Sequence, residues 1–410
     1  MEPMEQNQNE TALVAASEQN ALVDVEKKQS GYWARVSRRY KWLSRIVAIS
    51  LVLFILLFVT TWSDAFSYEN VLYFGKDMGN LATLALKDES AIYYTYGKAG
   101  ASVVSYRGGV GMVHCGGTEI YTPDGELLLF LEGDYKNPRA AVSRDYFITY
   151  DFGGNSYTVC NSYVELYRGT TEYPIYNVSV SDAGYYALVT APEATDKGVL
   201  PLCEVLVFTP SFQLVKRFGR AGATVAAALS ENGRFVAIAD ATAAGATVDI
   251  FTVGTDRHNA TLTFSDFPYM LSFTSDSTLA LACQKTAFTF NVEGELYGQF
   301  HYNGAVLHDV DMGTSGVALV LFDNQLSNVY RLVVMDIKGN LLCNRGTLMI
   351  KDLSLIDDHV WLLDEDEVTC YALSRDVFVY QKDVSANAVA IHALSKSSVQ
   401  VIYPSQTIKV

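Results

Sequence analysis

Beyond residue 70, apolar and polar positions alternate in short runs rich in Tyr, Val, Phe and Thr, broken by Gly, Asp, Asn and Ser. Two-residue alternation bounded by turn formers predicts strands and hairpins. Helical periodicity sustained over about 11 residues is hard to find. The first strand of each unit rises from a polar turn: GGVGMVHC at 108, SRDYFITY at 143, SDAGYYALV at 181, SENGRFVAIA at 230, SDSTLALAC at 275, TSGVALVLF at 314, DDHVWLLD at 357 and SSVQVIY at 397. A second turn follows in the first seven units, around Gly125, Gly169, Ser211, Gly254, Gly294, Gly339 and Arg375. A period of about 40–45 residues with four short strands per unit predicts an all-β chain folded as a β-propeller. Eight blades over residues 88–410 fit best, with seven as the alternative and a pair of β-sandwiches as the rival architecture. The eighth repeat runs out one strand early. A strand within 91–96 is expected to supply the missing edge and close the ring.

The N-terminal region follows a different pattern. Residues 46–62, IVAISLVLFILLFVTTW, carry no charge, and 43–62 is long enough as a helix to cross a bilayer core. Tyr40, Trp42 and Trp62 supply interfacial aromatics. Arg35, Arg38, Arg39, Lys41 and Arg45 precede the run, whereas Asp64 and Glu69 follow it. The positive-inside rule therefore predicts a single-pass protein of the cell membrane, with residues 1–42 cytoplasmic and the rest extracytoplasmic. The apolar run is longer than a cleaved signal requires, so it reads as an uncleaved signal-anchor, although Ser63-Asp64-Ala65 resembles a cleavage site. The Glu-, Gln- and Asn-rich first 30 residues lack aromatics and predict a disordered tail ending in basic residues. Residues 63–87 then form a stalk ahead of the propeller.

Composition narrows the function. Half of the 410 residues are hydrophobic and only 18% are charged, which excludes a disordered or fibrous chain. The net charge of −15 is carried by the region after residue 62, where 39 acidic side chains face 23 basic ones. Such a field repels phosphate backbones, so no nucleic-acid partner is expected.

The stretch TEIYTPDGELLLFLEGDYKNPRAAVSRDYFITYDFGGNSYTV, followed by YPIYNVSVSDAGYYALVT, resembles an uncharacterised family of membrane-anchored, propeller-like proteins from Gram-positive anaerobes. The likeness spans most of residues 30–410 and is clearest over 118–190. It implies fold and location, and its motifs are structural turns that imply no activity.

Chemical motifs are scarce. No Gly-x-Ser-x-Gly elbow, phosphate-binding loop or metalloprotease signature occurs. Three of the four Trp precede the propeller region, leaving Trp361 alone, which argues against a quinone cofactor bound by repeated Trp. No two His have the i, i+4 spacing of a helical zinc site. Asp357-Asp358-His359 and Asp364-Glu365-Asp366-Glu367 offer oxygen ligands but lack the spacing of a calcium loop. The six Cys are scattered, several within apolar strands, and read as buried thiols. No cofactor or metal is assigned. Tyr135, Asn137, Arg139, Tyr150 and Asp151 form the candidate ligand-binding cluster; Asn137-Pro138 and Asp151-Phe152-Gly153-Gly154 are also ordinary turn formers. The expected role is binding or scaffolding of an envelope protein or glycan. The alternative is a hydrolase or lyase at the central channel. A polar channel with paired carboxylates favours catalysis, and an aromatic rim favours binding.

Overall fold

The computed structural model describes residues 40–54, 91–93, 102–123, 125–192, 203–255, 257–324, 329–347, 349–374 and 377–410. Two compact units divide the chain, 1–86 and 87–410.

In the first unit, residues 40–54 form a helix whose apolar side chains, among them Leu43, Ile46, Val47 and Phe54, are exposed. Among the described residues, no helix is long and apolar enough to cross a membrane. Positions 55–62 of the expected 43–62 span lie outside the described residues, as do Arg35, Arg38 and Arg39 and the stalk. Lys41 and Arg45 lie on the helix.

The second unit is an all-β propeller of eight four-stranded antiparallel blades. Blades 1 to 7 occupy residues 102–132, 138–170, 175–220, 223–264, 268–301, 306–347 and 352–383, each ordered from the channel outward in chain order. Blade 8 takes three strands from 390–409 and its outermost strand, Ala91–Tyr93, from the start of the domain. Ala91 pairs with Ile408 and Tyr93 with Gln406. The expected closure therefore holds, and no blade is left with an unfilled edge position. Blade 8 meets blade 1 where Gln400 Nε2 donates to the Gly109 carbonyl at 3.4 Å.

Sequence periodicity placed the repeat one strand out of phase. The strand after each polar turn is the second strand of its blade, buried on both faces: Phe147–Asp151, Tyr186–Thr190 and Thr278–Cys283 are buried throughout. Strands packed on both sides read as continuous apolar runs, so they dominate the signal. The innermost strands, such as Ile175–Val180, carry Asn and Ser toward the channel and leave a weaker trace. Gly169 is not in a turn; it lies within the outer strand Glu165–Thr170. The hairpin turn of blade 2 is made instead by Asn161, whose Oδ1 accepts the N–H groups of Tyr163 and Val164 at 2.8 and 2.9 Å. Arg375 lies outside the described residues.

Apolar clusters lie between successive blades. Phe147 of blade 2 packs with Tyr106, Val113 and Ile120 of blade 1, and Trp361 of blade 7 packs with Ile391, Val399 and Val401 of blade 8. At the channel, side chains of one innermost strand bond the backbone of the next. Asn177 and Ser179 accept the N–H groups of Ala227 and Leu229 at 3.2 and 3.1 Å. Asp352 and Ser354 accept those of Ile391 and Ala393 at 2.7 and 3.0 Å. Acceptors two residues apart reach donors two residues apart, so these innermost strands run side by side in the same sense. Each bridge satisfies a backbone donor on a strand edge that has no ladder partner.

Candidate functional site

Because the innermost strands run alike, all of them start on one face, here called the upper face. The second strands, antiparallel to them, end there. Side chains at these positions surround the upper mouth of the channel. Tyr176, Phe267, Tyr269, Val306, Met349 and Val389 are each 38–55% exposed. Their exposure follows from position: Tyr176, Tyr269 and Val306 open an innermost strand, and Phe267, Met349 and Val389 lie in the one to three residues that lead into one. Phe152 and Tyr176 meet edge to face at 5.7 Å, and Phe267 and Tyr269 at 6.3 Å.

The five candidate residues separate into two groups. Tyr135 is buried, and its hydroxyl pairs with Thr158 Oγ1 at 2.9 Å. Asp151 is also buried, with Oδ1 accepting the N–H groups of Lys136 at 2.9 Å and Asn137 at 2.6 Å. These two residues fasten the loop between blades 1 and 2. Asn137, Arg139 and Tyr150 line an open pocket of about 640 Å³, together with Ser102, Pro138, Ala140 and Phe152. Arg139 and Tyr150 are cross-strand partners, and the Arg139 guanidinium lies 4.7 Å from the centre of the Phe152 ring. Burial raises the Tyr150 phenol above its usual pKa, with Arg139 opposing that shift, so the hydroxyl is a neutral donor at physiological pH.

This pocket adjoins the channel through Ala140 and Tyr150. The channel cavity measures about 510 Å³ and is walled by the innermost strands of blades 2 to 5, mostly small and aliphatic residues with Asn177 and Tyr269, and by Asp182 and Glu231 just beyond the ends of two of those strands. Tyr269 in turn borders a third pocket of about 270 Å³ that contains Lys285, Gly304 and Val306. Phe152, Tyr176, Tyr269 and Lys285 were not singled out from sequence. A signal was present for two of them: Pro174-Ile175-Tyr176 and Pro268-Tyr269 place an aromatic just after the proline that leads into an innermost strand, a position where proline is tolerated.

The opposite side of the channel is acidic. Asp311 of blade 6 accepts the N–H of Leu355 through Oδ2 at 2.7 Å and that of Met312 through Oδ1 at 2.8 Å. Burial raises the pKa of Asp311 and lowers that of His392, with the two groups drawing each other partly back. Asp352 is pushed up to about 7, chiefly by burial and further by the neighbouring Asp309 carboxylate. Among the described residues, no group of three or more His, Cys, Asp or Glu is arranged to hold a metal ion. Asp358 is engaged by His359 at 2.6 Å and by Lys396 at 3.3 Å. Trp361 is buried and donates to the Ser395 carbonyl at 3.2 Å. No disulfide joins the cysteines; Cys160, Cys283 and Cys370 are buried thiols pushed up to about 12 by desolvation.

Solved propellers resemble this one in fold. The computationally designed Ika8 protein superposes with a TM-score of 0.59 at 13% identity, covering 77% of this chain and 98% of its own. Sqt1 from Chaetomium thermophilum, solved bound to the N-terminus of the ribosomal protein L10, gives 0.54 at 12% identity, covering 78% and 99%. BamB from Moraxella catarrhalis gives 0.51 at 11% identity, covering 78% and 96%. No curated protein matches the sequence. Residues 88–410, the whole ring with its closing strand, match the family of unknown function DUF5711, and the chain belongs to that family.

Proposed function

We propose that the protein is a membrane-anchored binding or scaffolding propeller, held at the extracytoplasmic side of the cell membrane, that captures an envelope polypeptide at its upper mouth. The observation that carries this reading is the exposed apolar rim formed by Tyr176, Phe267, Tyr269, Val306, Met349 and Val389. Exposed apolar side chains around a concave site mark interaction surfaces. The Sqt1 structure, with a polypeptide terminus bound, is a precedent for such use of the fold. Anchoring is supported by the uncharged run 46–62, by the basic residues before it and by the apolar surface of helix 40–54.

One observation favours catalysis instead: Asp309 and Asp352 form a close carboxylate pair at the channel. Yet Asp352 is occupied by the Ile391 N–H, and both oxygens of Asp311 hold backbone donors. Groups tied to the frame in this way join blades, and the binding reading is preferred. Retention of the full-length chain on an envelope fraction of its source cell tests it. Retention abolished by prior proteolysis of that fraction is expected. Retention that survives would redirect the reading to a glycan, and no retention would overturn it.

A further inference from the structure

Resting on the binding reading, the geometry points to the class of partner: we infer that the upper mouth takes an apolar polypeptide segment carrying a few separated carboxylates, which pair with Arg139 and Lys285. The region after residue 62 holds 39 acidic side chains against 23 basic ones. Several arginines are engaged by carboxylates. Arg107 pairs with Asp145, Arg168 with Glu165, Arg217 with Glu204, and Arg220 with Asp240 and Asp249. Arg139 and Lys285 are exposed, and among the described residues neither forms an ion pair. Each stands in an upper-face pocket as its sole charged residue: Arg139 beside Tyr150 and Phe152, Lys285 beside Tyr269 and Val306. The Arg139 pocket shares Ala140 and Tyr150 with the channel cavity, and the Lys285 pocket shares Tyr269 with it.

The Arg139 guanidinium is already oriented by its stacking on Phe152, which leaves its planar fork available to a carboxylate. The surrounding surface then limits the partner. The acidic body repels a polymer of dense negative charge, and the apolar rim offers such a polymer nothing. A segment with apolar side chains for the rim and one carboxylate for each cation satisfies both conditions. Anionic glycans and long acidic runs satisfy neither.

The test uses the full-length chain in lipid nanodiscs, panned against a random-peptide display library, beside the variant carrying Arg139→Ala and Lys285→Ala. Enriched peptides are expected to combine aromatic or aliphatic residues with one to a few Asp or Glu. A synthetic peptide from that pool should bind the variant about tenfold or more weakly. Replacing its Asp and Glu by Asn and Gln should cause a similar loss on the unaltered protein and little further loss on the variant, as a double-mutant cycle requires for a direct pair. Enriched peptides without carboxylates, or peptides that bind the variant equally well, would overturn the pairing while leaving polypeptide capture standing. So would competition by polygalacturonate at equal potency. No enrichment, with retention on the envelope fraction intact, would overturn it in favour of a non-peptide ligand.

Discussion

The Asp352 carboxylate accepts the backbone N–H of Ile391 at 2.7 Å, joining the innermost strands of blades 7 and 8 across an edge that has no sheet ladder. Asp352 also lies against Asp309 of blade 6, and burial with that neighbour raises its pKa to about 7. An acid whose folded pKa exceeds its unfolded value of about 3.9 loses protons first in the unfolded chain as pH rises. Its contribution to stability therefore falls between about pH 4 and pH 7 and levels off above that. Asp311 and His392 share this side of the channel, so their titration is linked to that of Asp352. Asp352→Asn should flatten the decline and be more stable than the parent at pH 8, by on the order of 1–2 kcal/mol. Denaturant melts at pH 5 and pH 8 check this; equal pH dependence in parent and variant would refute it.

Gly111 and Phe147 set the spacing of blades 1 and 2. A Cβ on Gly111 would lie 2.1 Å from Phe147 Cε2, a ring that is fully buried. Gly111→Ala should cost about 1–3 kcal/mol through overpacking. Adding Phe147→Leu should recover part of that loss, since the smaller side chain vacates the contact. Chemical denaturation of the single and double variants measures the coupling directly.

Ala91–Tyr93 is the only N-terminal segment among the described residues that enters a blade, and it leaves a long chain between its partners: Ala91 pairs with Ile408. Deleting residues 88–96 would expose the edge of Gln406–Lys409 and break ring closure. Unpaired edges recruit other chains. The deletion should shift the protein to dimers or larger species by light scattering and broaden its melt. A monomeric, cooperatively melting deletion would show that the seven complete blades hold the ring without the closing strand.

Blade number was readable because the segments that hold buried second strands, such as Tyr186–Thr190 and Thr278–Cys283, begin every 35–49 residues, and ring closure because the last repeat falls one strand short. The phase was not, since innermost strands alternate channel-facing polar residues with apolar ones and bond their neighbours through side chains, as Ser354 does with Ala393. Half of the mouth was similarly hidden. Arg139 and Tyr150 are close in sequence and were found together; Tyr269 and Lys285 reach the same cavity system from blade 5, and only the curvature of the ring brings them there. Asp151 misled for a physical reason. A carboxylate beside a glycine pair signals a turn or a ligand equally well, and only its two backbone bonds assign it to the loop.

Arg139 and Asp151, neighbours across one hairpin, should therefore fail in different ways. Asp151 is buried, and Asp151→Ala strands the N–H groups of Lys136 and Asn137, costing about 2–4 kcal/mol. Arg139 is exposed, and its ring contact with Phe152 is worth about 0.5–1 kcal/mol, so Arg139→Ala should lower the melting temperature by only a few degrees. Retention on the envelope fraction should follow the opposite order when each variant is assayed well below its melting point. Arg139→Ala should lose most of it with the fold intact. Asp151→Asn, which keeps one acceptor oxygen for the loop, should recover both stability and retention relative to Asp151→Ala. If Arg139→Ala retains full capture, the pocket beside Phe152 is not the site, and the Asn137 loop is a turn and nothing more.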